Sequence, residues 1–219
     1  MDPVVFYCYD AYCGWCYGFS PVIRRIAEEY EGKLNFEVLS GGMIPKEHAQ
    51  PISVMAGYIS KAYKRVEELA GIKFGKDYLW HIFNPSDSDW KPHSEKAAIA
   101  LCIFKDIYPE KQISFATDLQ YALHFEGRDL TDDEAYRHLL EKYGINADNF
   151  YEKLHSAEYE EKAKYEFALC RQLEVTGFPA VLVQVNESKF YPAVRGYTPY
   201  DEVKSRIENI LKETAANAS

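Results

Sequence analysis

Between Ser40-Gly41-Gly42 and Thr176 the sequence carries no strand pattern for roughly 135 residues, while β-branched and aromatic runs stand on both sides of the gap. Any sheet must therefore draw its strands from both ends of the chain. At the front, residues 3 to 9 (with Val4-Val5-Phe6-Tyr7) read as a buried strand. Residues 14 to 30 follow as a helix, with Val22, Ile23, Ile26, Ala27 and Tyr30 at helical spacing, and Leu34 to Leu39 as a second strand. A strand, helix and strand of these lengths make a right-handed parallel unit. At the back, Pro179 to Val185, a turn at Asn186-Glu187-Ser188 and Lys189 to Arg195 read as a hairpin. Thr198 and Pro199 then open a last helix through Leu211, ahead of a polar tail expected to fray.

The middle is helical. Pro51 to Ala70 ends at Gly71, and Tyr78 to Phe83 is ambiguous. A loop covers Asn84 to Pro92, and Ser94 stands as N-cap of Glu95 to Ile107. Ile113 to Phe125 stops at Gly127. Thr131-Asp132-Asp133-Glu134 has the spacing of a capping box, Gly144 ends that helix and Asn146 caps the next. The charges from Ala157 to Leu173 read as a solvated helix face. The order β-α-β, helical block, β-β-α predicts an α/β fold with a mixed sheet and a large all-helical insertion. Residues 1–44 and 171–219 form the sheet domain and 45–170 the insertion.

Cys13-Gly14-Trp15-Cys16 lies between the first strand and the first helix, on the turn at the carboxyl end of the strand, where open α/β sheets place ligand sites. A thiol reacts as thiolate, and the unpaired N–H groups and dipole of a helix N-terminus stabilise that anion. The i, i+3 spacing puts a second sulfur within reach to close or resolve a disulfide. Cys13 is the expected attacker, at the exposed helix start, and Cys16 the resolver. C-x-x-C is also half of a zinc site. Cys8, Cys102 and Cys170 are isolated, however, and the six histidines contain no close pair, so no metal is expected.

A net charge of −9 argues against nucleic-acid and anionic-membrane partners, which need a basic face. The longest apolar run, Ala97 to Phe104, is far short of the roughly 18 residues a bilayer span needs. With no basic and apolar leader pattern and five scattered cysteines, a reducing, cytoplasmic setting is expected.

With Asp10-Ala11-Tyr12-Cys13-Gly14-Trp15-Cys16-Tyr17-Gly18-Phe19 in front and Thr176-Gly177-Phe178-Pro179-Ala180-Val181-Leu182-Val183 behind, the chain resembles the thioredoxin superfamily. Within it, the chain is most similar to DsbA-like thiol-disulfide oxidoreductases with a helical insertion. The resemblance implies a thioredoxin-like fold and disulfide exchange or isomerisation on protein or peptide substrates through a mixed disulfide on Cys13. It also implies a cis Pro179 across from Cys13, a Phe178 backbone offered to the substrate strand, and Phe178, Pro179, Trp15 and Gly14 as substrate-binding residues. No cofactor is expected beyond the Cys13-Cys16 disulfide, with glutathione or a thioredoxin-type protein as reductant. Gly14 and Trp15 carry no positive charge, so a less oxidising pair is expected than in members with histidine there. The alternatives are a glutathione-dependent isomerase or transferase on the same fold, and a non-enzymatic holdase or adaptor.

Cys8 reads as a small buried hydrophobe, and Cys102 and Cys170 as free buried thiols, with a regulatory second disulfide as the alternative. Asp10 and Glu28 are candidate proton acceptors for Cys16 that would ordinarily be solvated. Tyr12, Trp15, Tyr17, Phe19 and Phe178 could supply an apolar rim, some of them belonging to the core.

Overall fold

A computed structural model describes residues 2–218. Its sheet is drawn from both chain ends. Strands β1 (Val4–Tyr9), β2 (Asn35–Ser40), β3 (Ala180–Asn186) and β4 (Lys189–Arg195) lie in the order β2-β1-β3-β4. β1 runs parallel to β2 and antiparallel to β3, and β3 is antiparallel to β4, giving the mixed sheet of an α/β fold. The pleat of β1 sorts its side chains onto two faces. Val5, Tyr7 and Tyr9 join the large core with Phe19, Ile23 and Ile26, whereas Phe6 and Cys8 pack with Leu39, Leu169 and Cys170.

Helix α1 (Gly14–Glu29) follows β1 and contains Pro21. A proline leaves the carbonyl four residues earlier without its helical donor. Here the Ser20 hydroxyl donates to that carbonyl, on Tyr17, at 2.7 Å, so the helix continues. The block between the two halves of the sheet holds α2 (Ser53–Ala70), α3 (Lys76–Phe83), α4 (Glu95–Ile107), α5 (Gln112–His124), α6 (Arg137–Tyr143), α7 (Ala147–Leu154) and α8 (Ala157–Gln172). The last helix, α9, spans Tyr200–Ala218. Helix α5 packs along α1, and α8 packs against β2 and α4.

The open edge of β2 is covered by side chains from this block. Gln112 accepts the Val38 N–H at 2.6 Å and donates to the Phe36 carbonyl at 2.8 Å, in the manner of a neighbouring strand. Lys105 donates to the Val38 carbonyl and Glu166 accepts the Ser40 N–H, both at 2.8 Å. An edge with its backbone groups occupied cannot recruit another chain.

Several expectations need correction. Glu166 is not part of a solvated face: it is buried and meets Lys105 at 2.8 Å, with Glu37 on the same ammonium. Burial alone would lower the Lys105 pKa, but the two carboxylates outweigh it and raise it. Ser94 precedes α4 without capping it, because its hydroxyl accepts the Ile44 N–H at 2.9 Å. The Thr131 box does not form. Its hydroxyl donates to Asp129, and Asp132 instead caps a short 3-10 turn, Asp133–Tyr136, ahead of α6. Tyr78 to Phe83 is the body of α3, and α9 continues past Leu211 to Ala218 where fraying was expected.

Candidate functional site

Three loops meet at the carboxyl end of β1: residues 10–13, 41–43 and 176–179. Asp10 joins the first two. Its Oδ1 accepts the Tyr12 N–H at 3.0 Å and its Oδ2 the Met43 N–H at 2.7 Å, while its carbonyl accepts the Cys13 N–H at 3.1 Å. Gln120 of α5 donates to the same carbonyl at 3.4 Å. The turn that presents Cys13 is thus held from the inserted block as well as from its own strand.

Cys13 is the N-cap of α1, with φ −80° and ψ 109°, and its Sγ accepts the Cys16 N–H at 3.3 Å. A sulfur in that position neutralises an orphan donor and sits at the positive end of the helix dipole. The Cys13 thiol donates to the Phe178 carbonyl at 3.6 Å. On ionisation that contact becomes repulsive, whereas the Cys16 N–H contact strengthens. Cys13 was expected to be exposed, yet only 7 % of its surface is open. The Phe178 carbonyl lies against the sulfur, which borders an apolar cleft that α2 also lines. Access to the sulfur runs through a cleft.

Cys16 is fully buried one turn along, and burial, then its contact with Cys13, pushes its thiol well above the ordinary range. Two further polar groups stand beside it. The Tyr7 hydroxyl is buried against both cysteines, makes no hydrogen bond of normal geometry among the described residues, and has its pKa raised by desolvation and the nearby sulfurs. Asp10 is 1 % exposed, not solvated, and burial raises its carboxyl above the usual range despite the N–H groups that favour the anion. Glu28, the other candidate acceptor, is exposed near the far end of α1 and does not join the site.

The Phe178–Pro179 peptide bond is cis. The Pro179 carbonyl accepts the Gly196 N–H at 2.8 Å, tying the loop to the end of β4. The tip of the Phe178 ring points at Gly41, where a Cβ would come within 1.9 Å of Cζ. Gly42 beside it has φ +66°, a conformation glycine adopts without cost. The glycine pair is the sequence signal that a close approach occurs here.

A cleft of about 360 Å³ opens beside Cys13, between the turn bearing Tyr12, Gly14 and Trp15 and the inserted residues Met55, Tyr58, Tyr63 and Trp90. Among the described residues that line it, none is charged. Tyr12 and Trp15 face this cleft, while Tyr17 and Phe19 belong to the core. Sequence reasoning missed the contribution of α2, because an apolar stripe on a helix looks the same whether it meets core or cleft. It also missed His124, fully buried against the Tyr17 ring at 4.9 Å, with Nδ1 on the Gln120 carbonyl at 3.0 Å and Nε2 without a partner among the described residues. Burial pushes this imidazole down to about 4.

The family model described as a DsbA-like thioredoxin domain matches residues 4–208. No curated protein matches the chain. Among solved structures, a "putative protein disulfide isomerase" from Nitrosomonas europaea is 24 % identical, with 97 % of this chain and 99 % of that one covered at a TM-score of 0.83. The cytosolic disulfide reductase DsbM from Pseudomonas aeruginosa is 23 % identical, with 95 % and 98 % covered at 0.75. The same DsbM solved with GSH aligns at 0.73, with 23 % identity over 95 % and 99 % of the chains. At these identities the likeness establishes the fold, which is the thioredoxin-like frame with its helical insertion. On the family match across nearly its whole length, the chain belongs to the DsbA-like thioredoxin domain family.

Proposed function

We propose that the chain is a thiol-disulfide oxidoreductase that exchanges a Cys13-Cys16 disulfide with protein or peptide substrates through a mixed disulfide on Cys13. The observation that carries this reading is the placement of one sulfur. Cys13 Sγ caps a helix N-terminus, touches the Phe178 carbonyl and lines the apolar cleft. In the reducing direction, the Cys13 thiolate attacks a substrate disulfide and expels one substrate thiolate. Cys16, once deprotonated, attacks Cys13 Sγ and releases the second. Two electrons pass from the dithiol to the substrate, and the protein leaves with the Cys13-Cys16 bond. The reverse sequence donates that disulfide.

The geometry favours division of these roles. Cys13 has donors for its anion and an opening to the cleft, whereas Cys16 is buried and must lose its proton to a neighbour. Asp10 is the acid–base group next to it, with a carboxyl that burial raises above its usual range. Phe178, Pro179, Gly14 and Trp15 border the approach to Cys13 and are assigned to substrate contact. Glutathione carries two carboxylates, and the uncharged lining favours an apolar protein segment over it as the group held in the cleft. Glutathione or a thioredoxin-type protein remains suited to the recycling step. Reduction of insulin disulfides tests the proposal: Cys13→Ser should abolish turnover, and full activity in that variant would sink it.

A further inference from the structure

The cleft beside Cys13 has an uncharged lining, but one of its edges runs on into charge. On α2, Val54 and Tyr58 line the cleft and are 66 % and 70 % exposed. Positions 54, 58, 61 and 65 follow one another at i, i+4, i+7 and i+11, the spacing of a single stripe on a helix. Lys61 and Arg65 therefore continue the edge that Val54 and Tyr58 begin. Both are exposed, as is Lys64 beside them.

Cations outnumber carboxylates on this stretch. Glu67 accepts the Phe74 N–H at 2.9 Å and meets Lys73 at 3.1 Å, so it serves the loop that follows α2. Glu68 stands 3.7 Å from Arg65. Lys61 and Lys64 have no carboxylate within salt-bridge distance among the described residues. Solvated charges on a helix face need no partner. These differ in that the other end of their stripe is apolar, open to solvent and part of the cleft that Cys13 borders, in a chain whose net charge is −9.

We infer that the cleft and the cationic stripe together select one class of exchange substrate: a peptide segment with a large apolar side chain next to its reactive cysteine and carboxylates a few residues beyond. The inference rests on exchange at Cys13 as proposed above. The cleft, about 360 Å³, has room for a large side chain and, among its described lining residues, no charge to pair with another. From Tyr58 to Arg65 the helix rises about 10 Å, the span of about three extended residues. A segment lying along α2 with its apolar residue against Tyr58 thus brings carboxylates three residues further on beside Lys61 and Arg65. Exposed charges of this kind act on encounter rate and on discrimination between partners. The same stripe repels a basic segment.

The test uses Cys16→Ala, which can form an adduct on Cys13 without resolving it, and symmetrical disulfides of short cysteine peptides. One peptide has a phenylalanine beside the cysteine and glutamates three residues on. A second has lysines in place of the glutamates, and a third keeps the glutamates but has serine in place of phenylalanine. Each rate of adduct formation, read by intact mass, is normalised to reaction of the same disulfide with mercaptoethanol. At low salt the first peptide should react about tenfold faster than either of the others. The ratio of acidic to basic peptide should fall below about twofold in about 0.5 M salt, where charges are screened within about 4 Å. It should invert when Lys61→Glu and Arg65→Glu are added to Cys16→Ala. Equal rates for acidic and basic peptides, or a ratio untouched by salt or by charge reversal, would overturn the inference while leaving exchange at Cys13 in place. So would a serine peptide, or oxidised glutathione, that reacts as fast as the acidic phenylalanine peptide. No adduct with any peptide would remove the exchange reading together with the inference.

Discussion

The Cys13 thiol stands 3.6 Å from the carbonyl oxygen of Phe178, a residue 165 positions later in the chain. The contact joins the two halves of the sheet domain across the whole inserted block. On the other side of the sulfur stands the Cys16 N–H at 3.3 Å, so the reacting atom is held between a carbonyl from one end of the chain and the helix start at the other.

Charge next to Cys13 tunes the potential of the Cys13-Cys16 couple. With Gly14 and Trp15 between the cysteines, the wild-type couple is expected nearer to about −270 mV than to about −120 mV. Trp15→His adds a cation at low pH. A gain of about 1 kcal/mol for the thiolate raises the potential by about 20 mV. Equilibration with glutathione should show that rise at pH 6 and its disappearance by pH 8. A shift that ignores pH would mean the charge is not what acts.

Gly41 lets the Phe178 ring settle. Its replacement by alanine places a Cβ 1.9 Å from Cζ, so the ring and the loop must move. Gly41→Ala should lose about 1–3 kcal/mol in urea unfolding and slow exchange between Cys13 and a peptide disulfide. Gly14→Ala is the control, since its Cβ meets Phe74 at an ordinary 3.6 Å. Equal stability in the two variants would show that the loop yields freely.

Asp10 has a structural and a chemical part to play. Asparagine keeps one acceptor oxygen but turns an NH₂ toward the Tyr12 or Met43 N–H, at a cost of about 1–3 kcal/mol. Asp10→Asn should also slow the attack of Cys16 on a preformed mixed disulfide and flatten the pH dependence of that step. An unchanged single-turnover pH profile would remove Asp10 from the proton path.

His124 makes folding sensitive to acid. The unfolded imidazole takes its proton near 6.5 and the buried one only near 4. Between these values the unfolded state binds more protons, so stability is complete above pH 6.5 and falls as the pH drops toward 4. The full difference is of order 3 kcal/mol. Asp10, with a raised folded pKa, pulls the other way: its burial costs stability as the pH rises above the range of an unfolded carboxyl. Comparison with His124→Phe isolates the histidine. The variant should lose most of the slope between pH 6.5 and 4, and an identical slope would assign it to other groups.

Much of this arrangement can be read from residues alone. The strand runs at both ends and the C-x-x-C at a strand-to-helix turn fix the frame and the position of Cys13, because periodicity and turn chemistry are local. The helical block conveys its lengths but not its partners. Glu166 looks like one charge among many on α8, and only the approach of Lys105 turns it inward. Thr131 has the spacing of a cap, yet Asp129 two residues earlier takes its hydroxyl. One wall of the cleft beside Cys13 comes from α2, and no pattern in a single amphipathic helix tells which surface it will line.

The division of labour between the two cysteines is tested most directly by Cys16→Ala mixed with one equivalent of a disulfide-linked peptide. Intact mass and peptide mapping should find a stable adduct of one peptide half on Cys13, absent from Cys13→Ala. An adduct on Cys8, Cys102 or Cys170, or formation of a Cys16 adduct in Cys13→Ala at the same rate, would contradict the assignment of Cys13 as attacker.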